Sequence, residues 1–369
     1  MKTPLANTLN TPANLGRSPS SARMLSFGAG AIGTYVGGCL ALAGHTVVFI
    51  EKSEIVEELR RRGLRLEING QPFRIPNPLL ASSLEEALSS GPFDCAIFAL
   101  KSFDTRSVLE SIRLVKDDFP PILCLQNGVD NEPIIASILG ADKVIPATVT
   151  SSIGRRAAGD IVLERQRGIG IAAGHPQSIH LVNALNSAGL NARLFPFPAS
   201  MKWSKLLTNL PANATSAILD MSPGSIFHHP NLFKLEIYQL REALAVMNKQ
   251  QIPVVDLPGT PVRLLAFAAQ SLPLKLSQFV LKRAIGGGRG GKMPSFYIDL
   301  HSGRGRSEVV YLNGAVADYG GQFHVPTPVN QFLNDTLLAL SQGKLARETY
   351  AQKPVKLLED FKRCYFTNP

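Results

Sequence analysis

Three glycines mark the junction between an apolar segment and a helix-forming stretch near the start of the chain. Residues 24–27 read MLSF and are followed by Gly28-Ala29-Gly30-Ala31-Ile32-Gly33. In a strand–turn–helix unit, the first glycine of this spacing permits a tight turn, the second lets a pyrophosphate approach the backbone, and the third lets the helix pack on the strand. A second apolar segment at 46–50 completes the unit, so the sequence predicts a dinucleotide-binding βαβ fold.

The alternation of apolar and helix-like segments continues to about residue 198. Buried apolar strands separated by helices are typical of a parallel sheet covered on both faces. We therefore predict an α/β Rossmann-type domain over residues 24–198, preceded by a disordered tail at residues 1–23. The predicted strands after the first lie at 46–50, 73–76, 94–100, 121–125, 143–150, 160–174 and 192–198.

Beyond residue 198, long helical patterns replace the short strand-like segments. We predict an all-α domain over residues 199–369, interrupted by a basic, glycine-rich loop at 286–294. The predicted helices lie at 202–219, 234–250, 262–271, 308–319 and 328–342.

Composition excludes several classes of protein. With 45% hydrophobic and 18% charged residues, the chain has ordinary globular composition. Its four cysteines are widely spaced and form no CxxC pair, which indicates neither a disulfide framework nor a zinc site and favours a reducing cytoplasm. The histidines lack the spacing of metal ligands, so no metal is expected.

The net charge of +10 is compatible with an anionic ligand, yet the basic residues are scattered rather than interleaved with aromatic ones. A small anionic ligand fits the charge surplus as well as nucleic acid does, and nucleic acid is the weakest interpretation only because no aromatic-interleaved basic patch is present. Residues 24–50 carry no Asp, Glu, Lys or Arg and are long enough to cross a bilayer. Their glycines favour the strand–turn–helix interpretation, so no membrane association is predicted.

Polar side chains directly follow three of the predicted strands. Glu51 and Lys52 end the second strand, where Glu51 would accept a hydrogen bond from a free ribose 2′-hydroxyl and favour NAD, and Lys52 would pair with a 2′-phosphate and favour NADP. Lys101 and Asn127 follow the next two apolar strands, at the sheet edge where ligands bind in such folds. A surface lysine and a turn residue before glycine are the alternatives.

In the helical half, Lys205, Asn209 and Asn213 recur every four residues and share one helix face. Two amides on an otherwise apolar helix indicate a ligand-binding surface, with a solvated face as the alternative. Pro211 lies within the same segment and is expected to kink it, as often occurs beside a cleft.

A second polar segment in this half spans residues 295–313. Ser307 has the character of an N-cap, and capping together with the helix dipole would by itself explain Glu308 in the first turn. The two arginines either bind a carboxylate or phosphate or lie in a solvated loop. The segment carries Ser295, Asp299, Arg304, Arg306, Ser307, Glu308 and Asn313.

Taken together, GAGAIG, Lys101, QNGVDN, the K-x-x-x-N-x-x-x-N helix and SEVVYLNG resemble the ketopantoate reductase (2-dehydropantoate 2-reductase) family, over residues 24 to about 342. The resemblance implies a Rossmann domain, a helical domain and a cleft between them. It further implies that NADPH reduces the ketone of a 2-keto acid there, most simply ketopantoate to pantoate in pantothenate biosynthesis.

The resemblance also implies roles for individual residues. Lys205 matches the proton-donating lysine and Glu308 the acidic residue of the active site. The phosphate loop matches Gly28, Ala29, Gly30, Ala31, Ile32 and Gly33, further cofactor positions match Lys52, Lys101 and Asn127, and substrate-contacting positions match Asn209, Asn213 and Ser295.

Three departures from the family pattern leave alternatives open, one of them an extra residue between Asp299 and Glu308. Glu51 stands where family members often have a small or apolar residue, which leaves NADH as a second cofactor, and Ala214 replaces a usual proline beside the substrate positions. A different keto or imino acid, or a dinucleotide sensor without activity, therefore remains an alternative. A homodimer, an organellar signal in residues 1–23 and a translation start at Met24 are also left open.

Overall fold

The computed structural model of the chain describes residues 21–279, 281 and 292–366. Most of the predicted tail at 1–23 lies outside these residues, and so does most of the predicted glycine-rich loop at 286–294. The first strand begins at Arg23, directly after the buried Ala22, so the folded part starts slightly earlier than the sequence predicts.

The first half of the chain is an α/β domain, as predicted. Twelve strands run from β1 to β12: Arg23–Phe27, Thr46–Ile50, Leu64–Ile68, Gln71–Ile75, Leu79–Ala81, Cys95–Phe98, Ile122–Cys124, Val144–Val149, Ser152–Ala157, Asp160–Arg165, Ile169–Ala172 and Ala192–Phe195. Six helices, α1 to α6, accompany them: Ala31–Leu42, Ser53–Arg62, Leu84–Ser89, Thr105–Ile112, Asn131–Leu139 and Ser178–Ser187.

Eight of these strands form one sheet in the order β12-β11-β8-β7-β6-β1-β2-β5. The strands from β8 to β5 pair in parallel, whereas β11 pairs antiparallel with β8. Neighbouring residues of one strand contribute to two different cores, since Met24 packs on one face and Leu25 on the other. This two-sided burial explains why the strands read as continuous apolar segments rather than alternating ones.

A second sheet, which the sequence did not reveal, has four strands in the order β4-β3-β10-β9. The segment predicted as strand-like at 160–174 is divided between the two sheets, with β10 in the small sheet and β11 in the large one. Sequence periodicity identifies strands but not their partners, because strand pairing is decided by tertiary packing.

The second half is largely helical, with its own apolar core that includes Leu206, Leu240, Phe296 and Leu333. Its helices α7 to α15 are Pro198–Asn209, Ala214–Leu219, Pro223–His228, Pro230–Lys249, Val262–Ser271, Ser295–His301, Asn313–Gln322, Pro328–Ser341 and Pro354–Phe366. Short 3-10 helices lie at Ser102–Asp104, Arg113–Val115, Ala141–Lys143, Glu308–Tyr311 and Arg347–Thr349.

Two predicted helices are wrong in their extent. The segment 202–219 is not one helix, because α7 ends at Asn209 and α8 begins at Ala214, on either side of Pro211. The segment 308–319 starts as the 3-10 helix Glu308–Tyr311 and continues as α13 only from Asn313. Among the described residues, no helix is both long enough and apolar enough to span a bilayer.

Candidate active site

The glycine loop between β1 and α1 has the geometry that its spacing predicts. The Gly28 amide donates to the carbonyl of Ile50 at 3.0 Å, and the φ of Gly28 is +94°, a conformation that side chains disfavour. A Cβ on Gly33 would lie 2.1 Å from the Gly28 carbonyl oxygen, so helix and strand are in contact there. Gly30, the N-cap of α1, has no atom within 4 Å of the position where a Cβ would stand.

This open backbone at a helix N-terminus fits a pyrophosphate, because a helix start presents N–H donors and the positive end of the helix dipole. The residues of the loop therefore suit a dinucleotide. Next to them, the Glu51 carboxylate accepts from the Ala29 amide at 2.6 Å and from the Lys52 amide at 3.3 Å. Lys52 itself is exposed at the N-cap of α2.

Lys101 lies just after β6 and joins the α/β domain to the helical half. Its Nζ is 2.7 Å from Oε2 of Glu308 and 2.9 Å from Oδ2 of Asp299. Burial lowers the pKa of Lys101, but the two carboxylates outweigh it and raise that pKa overall. Burial also raises the pKa of Asp299, against the opposing effect of Lys101. One ammonium group is thus held charged between two carboxyl groups.

Ser102 links Glu308 to the loop that follows β7. Its backbone amide donates to Oε1 of Glu308 at 3.1 Å, and its hydroxyl donates to the Asn127 carbonyl oxygen at 3.1 Å. The Asn131 side chain donates to the same Asn127 carbonyl at 2.7 Å. Glu308 is 4% exposed, so its carboxyl group is buried with specific donors and is not the solvated start of a helix.

The interruption between α7 and α8 brings two asparagines towards this loop. Asn209, at the end of α7, donates from Nδ2 to Oδ1 of Asn127 at 3.0 Å. Ala212 adopts a φ of +53° in the break, and its amide donates to the buried carboxyl group of Glu236 at 2.7 Å. A proline inside a helix removes one backbone hydrogen bond, so Pro211, which was expected to kink one helix, stands instead at a break between two.

Asn213 connects the break to α12. Its Nδ2 donates to the Asn209 carbonyl at 3.0 Å and lies 3.4 Å from the Ser295 hydroxyl, and its Oδ1 accepts from the Phe296 amide at 3.1 Å. All polar atoms of this side chain therefore have partners within the protein. Asn213 thereby fixes the position of Ser295 at the start of α12.

Lys205 lies one helical turn before Asn209 on α7 and is half-buried among fully buried neighbours. Residues four apart share a helix face, so Lys205 lies on the side of α7 that carries Asn209. Of the two predicted arginines, Arg306 pairs with Asp104 at 3.5 Å on the exposed surface, whereas the charge of Arg304 acts on Asp299 and opposes the rise in its pKa. A continuous series of contacts thus joins Glu308, Lys101, Ser102, Asn127, Asn209, Asn213 and Ser295.

Both halves of the chain match descriptions of one known protein family. The family description Ketopantoate reductase PanE/ApbA matches residues 24–175, and that of its C-terminal part matches residues 199–341. The chain belongs to the ketopantoate reductase family. The resemblance inferred from the motifs is confirmed, and so is the predicted order of an α/β domain followed by a helical one.

Relatives within and around the ketopantoate reductase family cover most of the chain. A 2-dehydropantoate 2-reductase of Pyrococcus horikoshii is 26% identical over 314 residues, which span 83% of this chain and 93% of that protein. The crystal structure of a PanE/ApbA family ketopantoate reductase from Ralstonia eutropha JMP134 superposes with a TM-score of 0.73 at 25% identity, covering 87% of this chain and 99% of that one.

A D-mandelate dehydrogenase, solved with NADH and anilino(oxo)acetate, shares the fold with a TM-score of 0.70 at 22% identity, over 87% of this chain and 98% of that one. As a member of the ketopantoate reductase family, the chain is an NAD(P)H-dependent oxidoreductase of the 2-keto acid reductase type.

A buried ion pair next to this site was not predicted from the sequence. Lys202 is 5% exposed, and its Nζ lies 2.7 Å from Oε1 of Glu132. The same ammonium donates to the carbonyl oxygens of Gln126 at 2.7 Å and Ala147 at 3.2 Å, so it ties α7 to the ends of β7 and β8. A lysine on the apolar side of α7, one turn before Leu206, was the signal that was available in the sequence.

Proposed function

We propose that this chain catalyses the NAD(P)H-dependent reduction of a 2-keto acid to a 2-hydroxy acid, with ketopantoate as the first candidate substrate. The observation that supports it best is the series of contacts from Glu308 to Ser295 beside the glycine loop. It brings together, from both halves of the chain, the residues that the resemblance assigns to one active site. A membership of the ketopantoate reductase family agrees with this assignment.

Lys205 is the proton donor in this proposal. A bound reduced nicotinamide supplies the hydride that adds to the keto carbon. The carbonyl oxygen then carries developing negative charge, which an ammonium group stabilises and finally neutralises by giving up a proton. Lys205 is suited to this because it is half-buried on the face of α7 that also carries Asn209.

The remaining polar residues divide into those that contact substrate and those that hold the site together. Asn209 and Ser295 are assigned to the substrate. Asn213, whose polar atoms already have protein partners, is assigned to positioning Ser295. Glu308 and Lys101 form the ion pair that links the two halves of the chain at the nicotinamide end of the cleft.

The cofactor assignment has two parts. Gly28 to Gly33 are assigned to the pyrophosphate, as the open backbone at Gly30 supports. The resemblance implies NADPH, with Lys52 on the 2′-phosphate, whereas Glu51 competes for the same ribose. A cytoplasmic setting and a homodimer stay predictions.

A second candidate is the reduction of a different keto acid. It is favoured by the D-mandelate dehydrogenase that shares this fold and was solved with NADH and anilino(oxo)acetate. The replacement of a usual proline by Ala214, beside Asn213, points in the same direction, because it alters the backbone next to Ser295.

Oxidation of NADPH or NADH, followed by absorbance with ketopantoate and a panel of branched and aromatic 2-keto acids, tests the proposal. Consumption with ketopantoate at the highest kcat/KM supports the first candidate, and a preference for an aromatic keto acid supports the second. No consumption with any keto acid, by protein that binds the dinucleotide, would refute reductase activity and favour a dinucleotide sensor.

The role of Lys205 is tested by Lys205→Ala against Lys249→Ala, which removes an exposed lysine from α10. Loss of a general acid is expected to lower kcat by about 10²- to 10⁴-fold, with the affinity for the dinucleotide unchanged. The control variant is expected to keep the wild-type rate. A Lys205→Ala enzyme of normal kcat would refute the assignment.

A further inference from the structure

The carboxylate of Glu51 occupies a fixed position at the carboxyl end of β2. Its Oε1 accepts from the Ala29 amide at 2.6 Å, and its Oε2 lies 3.3 Å from the Lys52 amide. The Glu51 amide donates to the Ala81 carbonyl of the neighbouring strand β5 at 3.0 Å, so the backbone is held as well. Both ends of the residue are thus anchored beside the glycine loop.

In a fold of this type, the residue at this strand end meets the ribose of the adenosine half of the dinucleotide. A carboxylate has about four lone-pair positions, and two backbone amides leave others available to ribose hydroxyl donors. A 2′-phosphate offers no donor when ionised and carries about two negative charges, so it is repelled by a carboxylate at the same place.

Turning Glu51 away to admit a phosphate would break its hydrogen bond to Ala29. That amide lies inside the glycine loop and would lose a charged acceptor. The end of the neighbouring strand β5 provides no free donors for a phosphate from Ser82. The Ser82 amide and hydroxyl already donate to the carboxylate of Glu86, at 2.6 Å and 2.7 Å.

The basic residues of α2 and its N-cap do not compensate the negative charge of Glu51 and Glu86 at this position. Lys52 is exposed at the N-cap of α2, where its long side chain is not anchored by the fold in the way that Glu51 is. Arg60 is paired with Glu86 at 3.6 Å. Arg61 and Arg62 lie in the last turn of α2, more than about 10 Å from its start at the rise of a helix.

We infer that Glu51 is the residue that selects the cofactor, and that this chain binds NADH in preference to NADPH. The inference rests on the proposed function only in that a dinucleotide must bind at the glycine loop. The preference implied by Lys52 is thereby assigned a minor role.

Binding of NADH and NADPH, titrated by nicotinamide fluorescence without any keto acid, tests this inference. Calorimetry with 5′-AMP and adenosine 2′,5′-bisphosphate measures the effect of the 2′-phosphate on binding of the adenosine half alone. The wild-type chain is expected to bind NADH at least about tenfold more tightly than NADPH. Glu51→Ser is expected to reverse the ratio by strengthening NADPH binding about tenfold or more and weakening NADH binding.

Glu51→Gln guards against damage to the loop, because its amide oxygen can still accept from Ala29. It is expected to bind NADPH more tightly than the wild type does while keeping most of its NADH affinity. Glu54→Gln removes an equal charge from the first turn of α2 and is expected to leave the NADH-to-NADPH ratio within about twofold.

Each outcome decides a separate point. Tighter binding of NADPH by the wild type, abolished by Lys52→Ala and insensitive to Glu51→Gln, would refute the inference and leave the reductase proposal intact. Binding of neither dinucleotide would refute both. Turnover of no keto acid, with the predicted NADH preference present, would refute only the reductase proposal.

Discussion

Replacing Glu236 by glutamine tests how a buried carboxyl group holds the break between α7 and α8. Glu236 is 1% exposed and accepts from the Ala212 amide at 2.7 Å and the Thr215 hydroxyl at 2.6 Å. Gln239 also donates to it. These bonds fix the backbone just after Asn209, so Glu236 supports the candidate site although it lies in the helical core.

The expected effect depends on pH. Burial raises the pKa of Glu236 from 4.5 to about 7, and the three hydrogen bonds only partly oppose it. The folded chain therefore binds more protons than the unfolded chain between these two values, and its free energy of unfolding falls as pH rises through that window. The full difference corresponds to about 3 kcal/mol, most of it lost between pH 5 and pH 8.

Urea unfolding of the wild type and of Glu236→Gln at several pH values between 5 and 8 measures this effect. The glutamine does not titrate, and its oxygen can still accept from Ala212. We expect the stability of Glu236→Gln relative to the wild type to increase by about 2–3 kcal/mol from pH 5 to pH 8. Glu57→Gln, at an exposed position of α2, is the control and is expected to show no such trend.

A constant difference between Glu236→Gln and the wild type across this range would contradict the reasoning. It would mean that the carboxyl group of Glu236 titrates alike in the folded and unfolded chains, and that its hydrogen bonds fully compensate its burial. A trend of opposite sign would mean that they overcompensate it.

Two further pairs of variants test the packing around the site. Lys202→Met leaves Glu132 buried without its cation and is expected to lower the free energy of unfolding by about 3–5 kcal/mol. Adding Glu132→Gln to this variant should restore part of that loss. If urea unfolding showed that the losses of the two single variants simply add in the double variant, a direct pairing would be contradicted. Gly33→Ala is expected to destabilise the fold, because its Cβ would lie 2.1 Å from the Gly28 carbonyl oxygen. Gly30→Ala, by contrast, should keep the wild-type thermal stability and lose affinity for NAD(P)H. Equal thermal stability of the two variants would refute this distinction.

Local sequence signals predicted the elements that depend on near neighbours. The strand, turn and helix around Gly28 to Gly33 follow from apolar periodicity and from the conformational freedom of glycine, which act over a few residues. Pro211 predicted a kink for the same kind of reason, but the structure has two helices in place of one kinked helix.

Local sequence signals could not predict contacts between residues that are far apart in the chain. Lys101 and Glu308 are 207 positions apart, and only folding brings them within 2.7 Å. The same holds for Asn127 and Asn209, and the family resemblance could name these residues for one site without showing which atoms meet. The four-stranded sheet and the buried Lys202–Glu132 pair were not predicted at all.

The sequence by itself determined the fold class, the dinucleotide loop and the family, because these rest on short motifs and on periodic burial. It left both Glu51 and Lys52 as candidates to meet the ribose, with Lys52 favoured only by the family resemblance, since adjacent residues give no information about which side chain is anchored. The tertiary structure decided which of the two side chains is anchored: the Glu51 carboxylate accepts from the Ala29 amide, whereas Lys52 lies exposed. Fixing a charge requires partners from another turn of the chain, and only the folded state supplies them.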